Sequence, residues 1–112
     1  PSPSELGNSG SFFKNPIITQ IDFNRILSEY SDLRGFPQNN GTIKISAGWL
    51  IEKAGLKGYR VGDAAVYEKH ALILVNYGNA TGHDIWQIAE YVIETVFEKF
   101  RVRLEPEVNV VE

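Results

Sequence analysis

Few side chains in this sequence of 112 residues have types and spacings that suggest chemistry. The first group is Gly-Asn-Ser-Gly-Ser at residues 7–11. Its glycines and short polar side chains could turn several backbone N–H groups toward one anion, with Ser11 at the end of the segment. An ordinary turn is the simpler interpretation of residue types alone, so both interpretations stay open at this point.

A pair of carboxylates stands near the end of the chain, where Glu105 and Glu107 are separated by one proline. Residues two apart on a strand point to the same face, so these two charges would repel each other. If the face were buried, one of the two carboxyl groups would hold a proton. A solvated strand face is the alternative interpretation.

The histidines and glycines do not form a known metal or nucleotide motif. His70 and His83 are thirteen residues apart, and the chain has no cysteine, so no metal site is predicted. The glycines at 55, 58 and 62 have the wrong intervals for a dinucleotide-binding fingerprint. His70 remains of interest, because it directly precedes an apolar run, and ligand contacts often lie at the end of a strand.

Three helices are predicted to carry and support these residues. Apolar residues at helical spacing predict helices over about 20–31 and 46–54, and a longer one over 85–100. Thr19 and Thr81 precede the first and the last of them, each with an aspartate three residues later, which is a capping-box pattern. Each helix should therefore bury one apolar face.

The strand signals are shorter. The apolar run 71–75 predicts a central strand, and the alternation after Pro106 predicts a half-buried strand at 107–110. Residues 35–41 are predicted to form a loop from their glycine, proline and asparagine content. Together these elements predict an α+β fold, a two-layer domain with a small mixed sheet and helices packed on one side.

Composition limits the function classes that remain. The chain is one domain in length, is 43% hydrophobic and 22% charged, and has a net charge of −3, which is the wrong sign for a nucleic-acid module. No apolar run approaches the roughly 20 residues of a membrane span. The chain contains no methionine, so we expect a piece of a longer protein. A small-molecule-binding part of an enzyme and an interaction module both remain possible.

Four separated motifs carry a resemblance to a known family: GNSGSFFKNP at 7–16, KISAGWLIEKAGLKG at 44–58, HALILVN at 70–76 and LEPEV at 104–108. In this order, they resemble the C-terminal domain of the UDP-N-acetylenolpyruvoylglucosamine reductases, the MurB flavoenzymes of peptidoglycan synthesis. The resemblance covers nearly the whole chain. It implies that residues 1–112 form a single substrate-binding domain of a cytoplasmic, NADPH- and FAD-dependent oxidoreductase.

The resemblance also implies what lies outside the chain. The family binds FAD through N-terminal regions, takes hydride from NADPH, and has a catalytic arginine and a substrate-contacting lysine upstream of this domain. None of these has a counterpart here, so we expect the isolated chain to hold no flavin and to be inactive. The implied partner is UDP-N-acetylglucosamine enolpyruvate, with no nucleic acid, membrane or metal.

Five residues match functional positions of the family. Ser11 matches the general acid and Glu107 the catalytic glutamate, which we infer to be protonated or paired with the upstream arginine. Asn15 matches a contact to the UDP diphosphate. His70 stands where the family often has glutamine, and a histidine gains charge near pH 6.5 whereas a glutamine does not. Lys57 is a further cationic candidate for the diphosphate, although turn lysines are common.

An alternative function stays open beside this one. The chain could be a stand-alone module that binds a UDP-sugar or another anion, or an interaction module, without a flavin partner. The segment 34–41 is long enough to fold over a bound substrate, as an insertion does in a subgroup of the family.

Overall fold

The computed structural model describes residues 4–5 and 11–107. Predictions that fall on residues 7–10 and on the strand beyond Glu107 lie outside the described residues. In chain order the elements are β1 (Ser4–Glu5), β2 (Ile17–Ile18), α1 (Gln20–Glu29), β3 (Gly35–Pro37), β4 (Ile43–Ile45), α2 (Ala47–Lys53), β5 (Arg60–Val61), β6 (Ala64–Val66), β7 (Leu74–Asn76) and α3 (Gly82–Phe100).

The strands form two small sheets, ordered β1-β7-β6-β5 and β2-β4-β3. Three helices accompany them among the described residues, so the α+β class is confirmed. The strand pairs of both sheets are antiparallel, whereas the sequence analysis predicted one mixed sheet. For the consecutive pairs β3–β4, β5–β6 and β6–β7 the reason is the length of the connections, because strands joined by a few residues can only turn back on themselves. Helix α3 packs against β6 and β7 and also contacts α2.

The helices begin where their capping residues predict. Thr81 Oγ1 accepts a 3.1 Å hydrogen bond from the backbone N–H of Asp84, and Asp84 Oδ2 accepts one of 3.0 Å from the N–H of Thr81. This reciprocal pair satisfies two of the first backbone donors of α3, which therefore starts at Gly82 rather than Ile85. Its apolar stripe is buried as expected, through Ile85, Ile88, Ala89, Val92, Val96 and Phe100.

Two strand predictions need correction. The predicted loop at 35–41 begins with β3, in which Gly35 packs so closely that an added Cβ would collide with the side chain of Ile43. The predicted strand at 71–75 forms only from Leu74, because residues before it make a turn that is closed by a 3.1 Å bond from the N–H of Ile73 to the carbonyl of His70. β7 nevertheless lies between β1 and β6, so its central position is confirmed.

Candidate functional site

The segment that follows Ser11 pairs with the last described residues of the chain. The backbone N–H of Glu107 donates a 2.7 Å hydrogen bond to the carbonyl of Phe12, and that of Lys14 donates one of 2.9 Å to the carbonyl of Glu105. Phe13 and Pro106 form the antiparallel bridge between these two bonds. This pairing places Glu107 beside the residue next to Ser11, so the two predicted catalytic residues lie on adjacent segments.

Phe12 also connects this pairing to the turn that carries His70. Its backbone N–H donates a 2.8 Å hydrogen bond to the carbonyl of Leu72. The rings of Phe12 and Phe13 are buried and meet edge to face, with their centroids 5.0 Å apart. Ser11 is half-buried at the edge of this anchor. The core packing of two phenylalanines therefore holds the backbone next to Ser11 in place.

Asn15 is held by the first residue of α2. Its Oδ1 accepts a 3.0 Å hydrogen bond from the backbone N–H of Ala47. A carboxamide has one acceptor oxygen and two N–H donors, so this contact fixes the orientation of the group and leaves its donors for a ligand. Donors facing outward suit a ligand with acceptor oxygens, such as a phosphate.

His70 and Lys57 line one pocket of about 350 Å³, together with Lys69, Glu52, Ser46, Gly48, Ala71 and Leu72. Lys57 Nζ lies 3.4 Å from a carboxylate oxygen of Glu52, which offsets part of its charge. The Nδ1 atom of His70 accepts a long 3.4 Å hydrogen bond from the backbone N–H of Leu72. That contact leaves Nε2 as the ring atom that a ligand would meet.

A second pocket, of about 290 Å³, is formed around Asn15 by residues that the sequence analysis missed. Lys14 and Arg103 contribute two cations, Glu105 contributes one carboxylate, and Pro16 and Ile17 complete the wall. The sequence does contain a signal for Arg103, because charged residues alternate with Val102 and Leu104 over 101–105, and in the structure these two are buried while the charged residues face solvent. We call this the Arg103 pocket.

The five predicted site residues thus fall into three neighbouring places. Ser11 and Glu107 meet through Phe12, whereas Asn15 lies in the Arg103 pocket and His70 lies with Lys57. Both pockets border the beginning of α2. Ser46 and Gly48 line the pocket of His70, and Ala47 between them bonds Asn15.

Helix α2 is itself tied to the segment after α1. Asp32 Oδ2 accepts hydrogen bonds of 3.0 Å from Lys53 Nζ and 3.1 Å from Trp49 Nε1. These bonds, that of Lys53 first, hold the pKa of Asp32 below its usual value of 3.8. Because α2 also holds Asn15, the Asp32 contacts help to set where the site residues stand.

Within the described residues, no group of three or more acidic or histidine side chains has the arrangement of a metal site. The helices found there are also too short or too polar to cross a bilayer.

Comparison with known proteins decides the family. Residues 2–111 match the sequence model described as "UDP-N-acetylenolpyruvoylglucosamine reductase, C-terminal domain". The chain belongs to this family. The resemblance seen in the four sequence motifs is thereby confirmed.

Curated relatives named UDP-N-acetylenolpyruvoylglucosamine reductase share about half of its residues. The protein of Flavobacterium johnsoniae is 51% identical over 111 residues, which are 99% of this chain and 33% of the relative. That of Pasteurella multocida is 46% identical over 112 residues, 100% of this chain and 33% of the relative. That of Porphyromonas gingivalis is 48% identical over 109 residues, 97% and 32% respectively. The chain therefore spans about a third of the length of these relatives.

Proposed function

We propose that this chain is the substrate-binding and proton-donating domain of an enzyme that reduces UDP-N-acetylenolpyruvoylglucosamine to UDP-N-acetylmuramate in peptidoglycan synthesis. Family membership and the names of the relatives support the reaction. The observation that carries the assignment of roles is the backbone pairing of Glu107 with Phe12, because it brings the exposed Glu107 to the segment that begins at the half-buried Ser11.

The chemistry requires a proton donor at a fixed position. Reduction of an enolpyruvyl double bond adds hydride to the methylene carbon and leaves a carbanion beside the substrate carboxylate. The C–H bond that completes the product forms as the Ser11 O–H bond breaks. A hydroxyl is a weak acid, but a carbanion is a strong base, so a positioned serine can transfer the proton.

Glu107 stands close to the charge that develops in this step. A bare carboxylate there would repel the carbanion and the substrate carboxylate. In our proposal Glu107 is therefore paired with an arginine from outside this chain, and the Ser11 oxygen regains its proton from solvent.

The remaining residues bind the UDP part of the substrate. Asn15 presents its two N–H donors to the diphosphate, because its oxygen is already held by Ala47. His70 and Lys57 bind the diphosphate from the pocket that Ser46 and Gly48 line at the beginning of α2. The Glu52 carboxylate lies 3.4 Å from Lys57 Nζ and partly neutralises its charge. Lys57 therefore contributes less to diphosphate binding than Asn15 and His70.

The glycines at 55, 58 and 62 have the wrong intervals for a dinucleotide-binding fingerprint, so no motif of this chain is assigned to a flavin. We assign FAD to regions outside this chain, where, reduced by NADPH, it would supply the hydride. We place the reaction in the cytoplasm, as the family resemblance implies.

Turnover of the enolpyruvyl substrate by the complete protein that carries this chain tests the proposal. We expect NADPH-dependent reduction, and a loss of roughly 10²–10⁴-fold in the Ser11→Ala variant. Binding of UDP-sugars without any reduction would contradict the proposal and favour a binding module.

A further inference from the structure

We propose that Arg103 and Lys14 are diphosphate-binding residues of this site, acting beside Asn15 in the Arg103 pocket. The inference rests on the proposed function, since it takes the UDP diphosphate as the ligand. Neither residue matches a motif position that the sequence analysis assigned to substrate.

The first argument is the pairing that builds the pocket. Residues 12–14 and 105–107 are paired antiparallel, which sets Lys14 opposite Glu105 on neighbouring segments. Arg103 lies two residues before Glu105, on the exposed side of the same extended segment. The pairing that brings Glu107 to Ser11 therefore also brings Arg103 to Asn15.

The second argument is the charge of the pocket. Arg103 and Lys14 bring two positive charges to the pocket, and Glu105 brings one negative charge. Asn15, whose oxygen is held by Ala47, adds two N–H donors. A pocket of this kind suits an anion with several acceptor oxygens. At about 290 Å³ it also has the volume for a phosphate group with its neighbours.

The third argument is the geometry of Arg103. Its guanidinium carbon lies 5.0 Å from the centroid of the Phe97 ring. A cation–π contact of this kind uses none of the guanidinium N–H groups as hydrogen-bond donors to a polar partner, so they remain for paired hydrogen bonds to phosphate oxygens. Phe97 thus restricts Arg103 before any ligand arrives, which lowers the entropy that binding costs.

Arg101 provides a matched control. It is also exposed, lies two residues earlier on the same segment, and has its guanidinium carbon 5.4 Å from the same Phe97 ring. It does not line the Arg103 pocket. Arg101→Gln and Arg103→Gln therefore remove the same charge and the same kind of ring contact, but only the second changes the pocket.

The test is calorimetric titration of the complete protein with UDP and, separately, with uridine. We expect Arg103→Gln to weaken UDP binding about tenfold or more and to leave uridine binding unchanged, with a smaller loss in Lys14→Gln. Arg101→Gln should bind both probes as the unaltered protein does. The affinity for UDP should also fall less steeply with salt in Arg103→Gln.

Two results would overturn the inference in distinguishable ways. If the unaltered protein binds UDP and Arg103→Gln binds it equally well, the role of Arg103 is wrong while the proposed function stands. If the unaltered protein does not bind UDP, the proposed function fails and the assignment of Arg103 falls with it.

Discussion

The backbone N–H of Glu107 donates a 2.7 Å hydrogen bond to the carbonyl of Phe12, so the two ends of the continuously described chain meet next to Ser11. Phe12 in turn donates its own N–H to Leu72, in the turn that begins at His70. One buried phenylalanine therefore holds together the segments that carry three predicted site residues. The arrangement of these three segments depends on main-chain hydrogen bonds, which do not require particular side chains at the paired positions.

Asn15→Asp should separate the two roles of Asn15. A carboxylate can still accept the bond from the N–H of Ala47, but it offers no donors and repels a diphosphate. We expect UDP affinity to fall about tenfold or more while the free energy of unfolding stays within about 0.5 kcal/mol. Asn15→Ala should lose affinity and also about 1 kcal/mol of stability. Calorimetry and urea unfolding measure the two effects, and unchanged UDP affinity in Asn15→Asp would show that the amide does not face the phosphates.

His70 should contribute to UDP binding through its ring. Its Nδ1 atom already accepts the N–H of Leu72, so Nε2 is left for the diphosphate. We expect His70→Ala to weaken UDP binding about tenfold, and His70→Gln, which keeps a side-chain donor, to retain part of the affinity. His83 is the other histidine and does not line this pocket, so His83→Ala should bind UDP as the unaltered protein does. Equal UDP affinities for the unaltered protein and His70→Ala in calorimetric titration would reduce His70 to a packing role.

Asp32 should contribute stability that depends on pH. Hydrogen bonds from Lys53 and Trp49 lower its pKa in the folded chain below 3.8. The contribution is therefore fully present above that value and is lost as the pH falls through the lowered pKa. Asp32→Asn keeps an acceptor for Trp49 but removes the charge. We expect its urea midpoint to lie below that of the unaltered chain at pH 7 and the difference to shrink below pH 3.8; a difference that is constant with pH would refute the linkage.

The helices could be predicted from sequence because their signals are local. Thr81 and Asp84 are three residues apart and satisfy each other, so the start of α3 is specified within one turn. β3 could not be predicted in the same way. Gly35 and Pro37 favour a loop by residue type, and they form a strand only because β4 pairs with them. Tertiary contact outweighs a weak local preference there.

The site residues also differ in whether a local sequence pattern predicts them. The family resemblance predicts Ser11, Asn15 and Glu107 as site residues, since each lies inside a short motif. Lys14 and Arg103 share a pocket only after residues 12–14 pair with 105–107, and no local pattern contains that pairing. The sequence alternates charged residues with Val102 and Leu104 over 101–105, a pattern that indicates the side on which Arg103 lies but not its neighbours.

The central claim is that Ser11 gives a proton to substrate, and the two halves of the reaction in the complete protein can test it separately. Ser11 is needed only after hydride has reached the substrate. Loading of hydride from NADPH, followed as bleaching of the flavin absorbance, should therefore survive Ser11→Ala nearly unchanged. Return of that absorbance on adding the enolpyruvyl substrate should slow by roughly 10²–10⁴-fold. Ser11→Cys, which has a more acidic but larger donor, should recover part of this loss.

Stopped-flow absorbance of Ser11→Ala, with both phases recorded on one preparation, is the most direct measurement. Our account predicts a normal first phase and a second phase that is slower by at least about a hundredfold. Equal slowing of both phases would mean that Ser11 supports the fold or the flavin environment instead. A second phase at the unaltered rate would mean that the proton comes from water or from Glu107, and either result would contradict the assignment of Ser11 as the general acid.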